Sequence, residues 1–489
     1  MAFARRASFS SSAFWVALEV VGGSVFSSLG LIVIAGLIGP ADLGLAAVAL
    51  GFAQTANFFT DTLYQDAIIQ RRRLSPLHVG SALWSVLLLA VVLGGGMALL
   101  AGWIGRLYGQ DELGRLLLVQ APLPIASAIT SIQTARLRRA MQFRILTINA
   151  SLSRALATAA GLALALKGYG AWAVIAQYGL GVAILGILYS ATMNWRLARR
   201  FSLAHAWEIT SFGARCTSTY FLDGARGRLF FAVIANYLPL AVVGQVNLAW
   251  RVVDSLATVI ASALVRLYLP FFSRVQAHAA TLRSAVQDAN LLTAALLGPV
   301  FAVLALTSDD LVRCIGSAKW QGLEILLPWL CAGAMGTILR MPATVAMTAI
   351  GQPLLATIGL AGVFVATFGA VVIGAPTTGV YAVLCWTLPL IANVPFSMVV
   401  ASRCMGLSLR DQVGALLPAV LMTGAVTLAT VAARQMAGAD HVVLRLLHEI
   451  PAAGISYLIL AAIVLDLHRR RRRTSGATAV PVGSVGGVS

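Results

Sequence analysis

The chain has 489 residues, 59% of them hydrophobic and only 11% charged, with a mean hydropathy of +0.87. Soluble domains carry about a quarter of their residues as charges because their surfaces face water, so most of this surface faces lipid and a soluble enzyme is excluded. The formal net charge of +18 does not indicate nucleic acid: all but Lys167 and Lys319 of the 35 basic residues are arginine, in short clusters between apolar blocks, and the aromatic interleaving that stacks bases is missing.

A membrane-spanning helix needs about 20 consecutive apolar residues. Blocks of that length occupy 13–38, 44–68, 79–104, 116–135, 145–166 and 171–193. Further blocks follow at 209–235, 240–268, 288–306, 322–349, 353–374, 377–401, 413–433 and 451–467. The expected fold class is therefore an all-α polytopic membrane protein with about fourteen transmembrane helices. The block at 13–38 exceeds the apolar region of a signal peptide and has no clear cleavage site, which predicts a retained first helix. The second and seventh blocks are polar enough for a hydropathy plot to miss. The segments 194–208 and 269–287 have room for a short amphipathic helix each. After Asp466 come five consecutive arginines, Arg469 to Arg473, suited to anionic headgroups at about 1 kcal/mol each, and then a Gly/Ser/Val-rich stretch that reads as disordered. The cysteines (Cys216, Cys314, Cys331, Cys385 and Cys404) and the six histidines are scattered, without CxxC or HExxH. They read as small buried or isolated side chains, with no metal site or disulfide framework expected.

Positive loops mark the cytoplasmic side. With the N-terminus placed there, 21 Lys and Arg fall in cytoplasmic loops and tails and 7 in loops on the other side. That asymmetry supports fourteen crossings with both termini in the cytoplasm.

The chain also matches itself. At a shift of 200, Leu43-Gly44 meets Val243-Gly244, with Ala41 on Ala241 and Ala49 on Ala249. At 209, Gly170-Ala-Trp-Ala-Val174 meets Gly379-Val-Tyr-Ala-Val383, and at 210 Gln142 meets Gln352. Six helices per half is an even number, so both halves insert the same way up, about a pseudo-twofold along the membrane normal. The expected division is a first lobe at 1–200, a second at 201–408, two appended helices at 409–468 and a basic, then disordered tail at 469–489. Two such lobes facing each other enclose a cavity that opens alternately to either side, as in a transporter.

Seven arginines remain inside the apolar blocks. An arginine at mid-bilayer costs roughly 2.5–3.5 kcal/mol on insertion scales, so several on neighbouring helices must face protein or water. Arg154 and Arg266 stand near expected helix ends and snorkel. On the seventh helix Arg215 and Arg226 lie about three turns apart on one face, Asp223 precedes Arg226 by three residues, and Arg228 points elsewhere. The eighth helix carries Arg251 and Asp254, and Arg340 precedes Met341-Pro342, where a kink is expected. On the second helix Gln54, Asn57, Asp61 and Gln65 form a polar stripe along one face, which Glu19 of the first helix joins. At the shift of 200, Gln54 meets Asp254. Asp223–Arg226 and Arg251–Asp254 read either as internal structural pairs or as parts of a hydrated, net positive cavity. Such a cavity suits an anionic group, and the planar fork of arginine matches phosphate in particular.

The stretch Leu37-Ile-Gly-Pro-Ala-Asp-Leu-Gly44, a polar second helix and Ile69-Gln-Arg-Arg-Arg-Leu74 resemble the opening of the polysaccharide (Wzx-type) flippases. So do Gly168-Tyr-Gly-Ala-Trp-Ala173, Gly244-Gln-Val-Asn-Leu-Ala-Trp-Arg251 and Leu269-Pro-Phe-Phe-Ser-Arg274, the likeness covering roughly 13–400. The resemblance implies the multidrug/oligosaccharidyl-lipid/polysaccharide exporter superfamily, with two six-helix lobes in a V and two extra helices. It implies a flippase moving undecaprenyl-pyrophosphate-linked oligosaccharide to the periplasmic leaflet of the bacterial inner membrane for exopolysaccharide or lipopolysaccharide synthesis. Arg251 matches a recurrent arginine of that family. Where the family often carries an Asn-x-Asp-like element on the seventh helix this chain has Arg228-Leu-Phe230, and no role is carried over to it.

On this reading Arg215, Arg226, Arg228, Arg251 and Arg340 are candidates to hold the pyrophosphate. Gln54, Asn57, Asp61, Gln65, Asp223, Asp254 and Glu19 would meet sugars or a coupling ion, Na+ or H+. No cofactor, metal or enzyme activity is expected. The partners are the lipid-linked oligosaccharide, membrane lipid and a polysaccharide polymerase or co-polymerase, not nucleic acid. A multidrug or other cation antiporter of the same superfamily is the alternative, although cationic drugs call for an acidic cavity. An ATP-driven exporter is excluded because Lys167 is followed by Gly and Lys319 by Trp, so there is no P-loop. A membrane polymerase or ligase ranks lower because the longest loops, near 307–321 and 434–450, are short.

Overall fold

The computed structural model describes residues 15, 18, 22, 23, 26–71, 74–193, 201–314, 318–436 and 442–474, and among them no strand occurs. The first half holds α1 (Phe26–Leu37), α2 (Pro40–Thr62), α3 (Gln65–Gln70), α4 (Pro76–Leu107), α5 (Asp111–Gln120), α6 (Leu123–Arg139), α7 (Phe143–Leu166) and α8 (Ala171–Thr192). The second half holds α9 (Leu203–Ile234), α10 (Leu240–Val275), α11 (Ala279–Leu306), α12 (Ser308–Cys314), α13 (Leu323–Leu339), α14 (Met341–Ala349), α15 (Pro353–Gly374) and α16 (Gly379–Met405). Two further helices follow, α17 (Leu409–Met436) and α18 (Val442–Thr474). Glu19 lies outside the described residues, as do the side chains of Arg215 and Asp223.

Among the described residues, twelve helical segments are long and apolar enough to cross a membrane, with α2 and α3, α5 and α6, and α13 and α14 each sharing one crossing. Every expected block falls on a helix, but two do not reach that standard. The described part of the first is the short α1, and α9, although 32 residues long, is too polar, as its sequence foreshadows. The separate amphipathic helix expected within 269–287 is absent, because α10 runs to Val275 and α11 begins at Ala279. Of 194–208, residues 194–200 lie outside the described set and α9 starts at Leu203. The arginine run is the end of α18 rather than a tail, and residues 475–489 lie outside the described set.

Local chemistry sets the breaks. Pro40, Pro76 and Pro353 open helices at the first turn, where a missing N–H is no loss. Ser75 caps α4: its Oγ accepts from the His78 amide at 3.3 Å while His78 Nδ1 accepts from the Ser75 amide at 3.3 Å, a reciprocal box. The kink expected at Met341-Pro342 takes the form of a one-residue interruption at Arg340, which keeps right-handed helical dihedrals between α13 and α14.

The two halves meet along α2 and α10. A Cβ on Gly44 would overlap the carbonyl oxygen of Leu240, and one on Gly244 would overlap that of Pro40. The residues that matched at a shift of 200 are thus the crossing point itself. Only glycine lets helix backbones approach so closely, the usual device where lipid offers no hydrophobic drive for helix pairing. At the same end Tyr108 Oη donates to the Ala232 carbonyl at 2.9 Å.

At the opposite end α9 is tied back onto the first half. Arg71 pairs with Glu208, Tyr64 and Thr210 share a hydroxyl contact of 3.0 Å, and the Ser202 amide donates to Ser81 Oγ at 3.0 Å. The rings of His78 and His205 pack edge to face with centroids 4.4 Å apart, and Gly213 lies where a Cβ would meet the Leu63 carbonyl. The first half therefore holds α9 at both ends.

The appended helices are anchored by buried charge. Asp310, fully buried on α12, takes Arg445 of α18 at 2.9 Å and Arg434 of α17 at 3.6 Å. Arg434 also reaches Asp309 at 3.6 Å and the buried Glu449 at 3.7 Å. Removing one member of a buried pair leaves an uncompensated charge, at about 3 kcal/mol. Arg445→Ala is accordingly expected to lower the thermal unfolding midpoint of the detergent-solubilised protein by several degrees. Arg445→Ala with Asp310→Ala should recover part of that loss. A single variant as stable as the parent would show that the network does not hold α18.

Candidate functional site

Two cavities of about 250 Å³ each meet at the centre of the molecule. They share Leu50 and Gln54 of α2 and Arg251 of α10. The first is walled by α1, α2, α7 and α8 with Arg251 reaching in from α10, and its remaining polar lining is Ser27, Gln54, Ser153, Arg154, Thr158, Gln177 and Tyr178. The second lies between the halves and is framed by three helices.

Each of those three helices contributes one face. Ala47, Leu50, Gly51 and Gln54 come from α2, Gly224, Gly227, Arg228 and Phe231 from α9, and Asn247, Trp250, Arg251 and Asp254 from α10. Every set follows the i, i+3, i+4, i+7 spacing that places side chains along one helical stripe. Gly51 lets α9 come close, since a Cβ there would lie 2.5 Å from the Arg228 carbonyl. The charged side chains in this lining are Arg228, Arg251 and Asp254. Arg251 and Asp254 lie within electrostatic range of each other. The guanidinium of Arg228 lies 4.9 Å from the centroid of Phe58 and within electrostatic range of Asp61.

Beside this cavity runs a polar cluster on α2. Asn57, 1% exposed, donates through Nδ2 to Tyr178 Oη at 2.9 Å, and Ser127 Oγ donates to Asp61. Asn57 Oδ1 has no hydrogen-bond partner among the described residues. Gln65 stands apart: α2 ends at Thr62 and Gln65 begins α3, where it accepts from Arg138 at 3.2 Å. The expected stripe is therefore split into Gln54 at the cavities, Asn57 and Asp61 beside them, and Gln65 beyond the break.

The arginines sort differently from the sequence expectation. Arg228, expected on a different face from Arg226 yet also named for the pyrophosphate, lines the cavity between the halves. Arg226, expected on the pyrophosphate, lines neither cavity: it is 6% exposed and its guanidinium lies 3.7 Å from the ring centroid of Trp386, a cation–π contact within the second half. Arg340, 8% exposed at the α13–α14 break, also lines neither cavity. Arg154, expected to snorkel, lines the first cavity and packs where a Cβ on Gly23 would collide with its guanidinium. Asn247 and Trp250, read in the sequence only as part of the stretch Gly244 to Arg251, were not named as site residues, although their spacing to Arg251 and Asp254 would have found them.

A net positive chamber with amide, indole and carboxylate groups at its wall can hold an anion that carries polar, ring-shaped substituents. It holds no arrangement of nucleophile and base, and among the described residues no cluster of His, Cys, Asp and Glu could bind a metal ion.

Comparison with known proteins bears on this geometry. The sequence profile of the family described as "Polysaccharide biosynthesis protein" matches residues 33–324. The succinoglycan biosynthesis transport protein ExoT of Rhizobium meliloti (strain 1021) is 25% identical over 312 residues, covering 61% of this chain and 62% of that protein. The lipopolysaccharide biosynthesis protein WzxC of Escherichia coli (strain K12) is 24% identical over 331 residues, 66% of each. The match thus spans just under two thirds of the length of these two relatives. Among solved structures, the inward closed conformation of the lipid II flippase MurJ superposes with a TM-score of 0.76 at 14% identity, over 94% of this chain and 99% of that one. An inward-facing multidrug resistance MATE transporter follows at 0.54 and 16% identity, over 80% and 95%. At these identities the structural likeness is one of fold alone.

Proposed function

Since this chain belongs to the polysaccharide biosynthesis protein family, we propose that it flips a lipid-linked oligosaccharide across the bacterial inner membrane by alternating access. The observation that carries the reading is the cavity between the halves, whose charged lining of Arg228, Arg251 and Asp254 has a net charge of +1. A lipid diphosphate brings two negative charges to be met by guanidinium forks, its sugars need polar walls, and its polyprenyl tail remains in lipid. The names of the relatives support such a cargo. A cationic drug would face the wrong sign of charge here, so the antiporter reading is disfavoured.

In this scheme the arginine-rich loops and both termini lie in the cytoplasm, and the end at which α2 and α10 begin faces the periplasm. A coupling ion, H+ or Na+, would bind at Asp61 with Asn57 and Ser127. A polysaccharide polymerase would take the delivered cargo on the periplasmic side. The protein itself makes and breaks no covalent bond.

The test is to extract polyprenyl lipids from a deletion strain and identify them by mass spectrometry. One lipid-diphosphate oligosaccharide building up in the cytoplasmic leaflet is the expected result. An unchanged lipid pool together with altered sensitivity to cationic drugs would overturn the proposal in favour of a drug antiporter.

A further inference from the structure

The wall of the cavity between the halves is chemically one-sided. On α10 the lining positions are Asn247, Trp250, Arg251 and Asp254, and the positions 200 residues earlier, on α2, are Ala47, Leu50, Gly51 and Gln54. The two stripes share one helical register across the crossing of the halves. One offers an amide, an indole, a guanidinium and a carboxylate, and the other offers mostly space.

We propose that Trp250 is a stacking platform for the sugar ring next to the diphosphate, with Asn247 and Asp254 taking its hydroxyls, so that the second half alone grips the headgroup. This rests on the reading of the cargo as a glycan diphosphate. A pyranose presents an apolar C–H face and a rim of hydroxyls, and its recognition calls for an aromatic face beside planar hydrogen-bonding groups. An anion alone would need only the arginines. A lipid tail would need neither an amide nor a carboxylate.

Packing holds the indole ready. Its ring lies 5.5 Å from Phe231 and 6.0 Å from Trp386, both in edge-to-face geometry. A side chain already immobilised loses little rotamer entropy on binding. The α9 backbone packs against the ring as well: a Cβ on Gly227 would lie 3.4 Å from Trp250 Cζ2, so glycine lets the helix support the indole from that side. Arg228 and Arg251 line the same cavity as the indole and are the groups there that would meet the diphosphate. The chamber, about 250 Å³, lies below the usual 300–1,000 Å³ of sites for drug-sized ligands, and suits one ring.

The experiment is equilibrium binding to the full-length protein in lipid nanodiscs, with two probes. One is polyprenyl diphosphate, and the other is the same lipid bearing a single hexose. The parent protein is expected to favour the hexose-bearing lipid by about tenfold, the order of gain that nucleobases obtain from an aromatic platform. Trp250→Leu should reduce that preference, read as the ratio of the two affinities on the same protein, to within about twofold. Trp250→Phe should keep most of the preference, and Asn247→Ala, a variant outside the aromatic cluster, should reduce it. Arg251→Gln should weaken both lipids together. A Trp250→Leu protein that keeps the tenfold preference overturns the platform. A parent that binds both lipids equally also overturns it, while leaving the diphosphate reading intact. A parent that binds neither overturns the cargo reading and this proposal with it.

Discussion

Replacing Arg251 by glutamine is expected to lower translocation of the diphosphate-linked cargo by about thirtyfold or more. Arg251 is the one charged side chain shared by both cavities. Truncating one partner of a buried, hydrogen-bonded charge pair costs about 2–5 kcal/mol, and each 1.4 kcal/mol is tenfold. Arg251→Lys should lie between, since lysine keeps the charge but not the bidentate fork. The same change at Arg226 is the control. That side chain stacks on Trp386 away from both cavities, so Arg226→Gln should lower thermal stability and leave cargo affinity within about twofold. Translocation in proteoliposomes, normalised to reconstituted protein, gives the answer. An Arg251→Gln protein moving cargo at the parental rate would remove Arg251 from the site.

Gly44→Val is expected to slow transport by about tenfold or more by another route. Its side chain would collide with the Leu240 carbonyl on α10, and forcing extra volume into a packed contact costs about 1–3 kcal/mol. The penalty falls on the arrangement in which α2 and α10 touch, so the variant should favour arrangements open at that end. A cysteine introduced at Asn247 in a cysteine-free background should then react faster with an impermeant maleimide added from the periplasmic side. Gly96→Val serves as the neutral comparison, because a Cβ at Gly96 meets nothing within 4 Å. Parental labelling and transport in Gly44→Val would show that the crossing does not close the chamber.

Much of this architecture was legible in the sequence because a bilayer imposes its own ruler. Apolar blocks about 20 residues long had to be helices, and their limits were found within a few residues for α7, α8 and α15. The match of Gly44 with Gly244 at a shift of 200 was legible, but that the two meet in space came only from the close approach of α2 and α10. Helical phase was the weak point. Arg226 and Arg228 are two residues apart and so project about 200° apart on a helix. Nothing in α9 alone says which of those faces meets a neighbour's tryptophan and which meets water. Arg154 was misjudged because distance from a helix end does not reveal an internal cavity beside it. Trp250 escaped because a tryptophan in an apolar helix has the same appearance whether it faces lipid, core or cargo.

Four positions on α2 and their counterparts 200 residues later on α10 line one chamber. Gly51, the counterpart of Arg251 at that shift, leaves α9 room to approach. At the matched positions the chamber thus meets Arg251 and Asp254 on α10 but Gly51 and Gln54 on α2, chemistry on one side and clearance on the other.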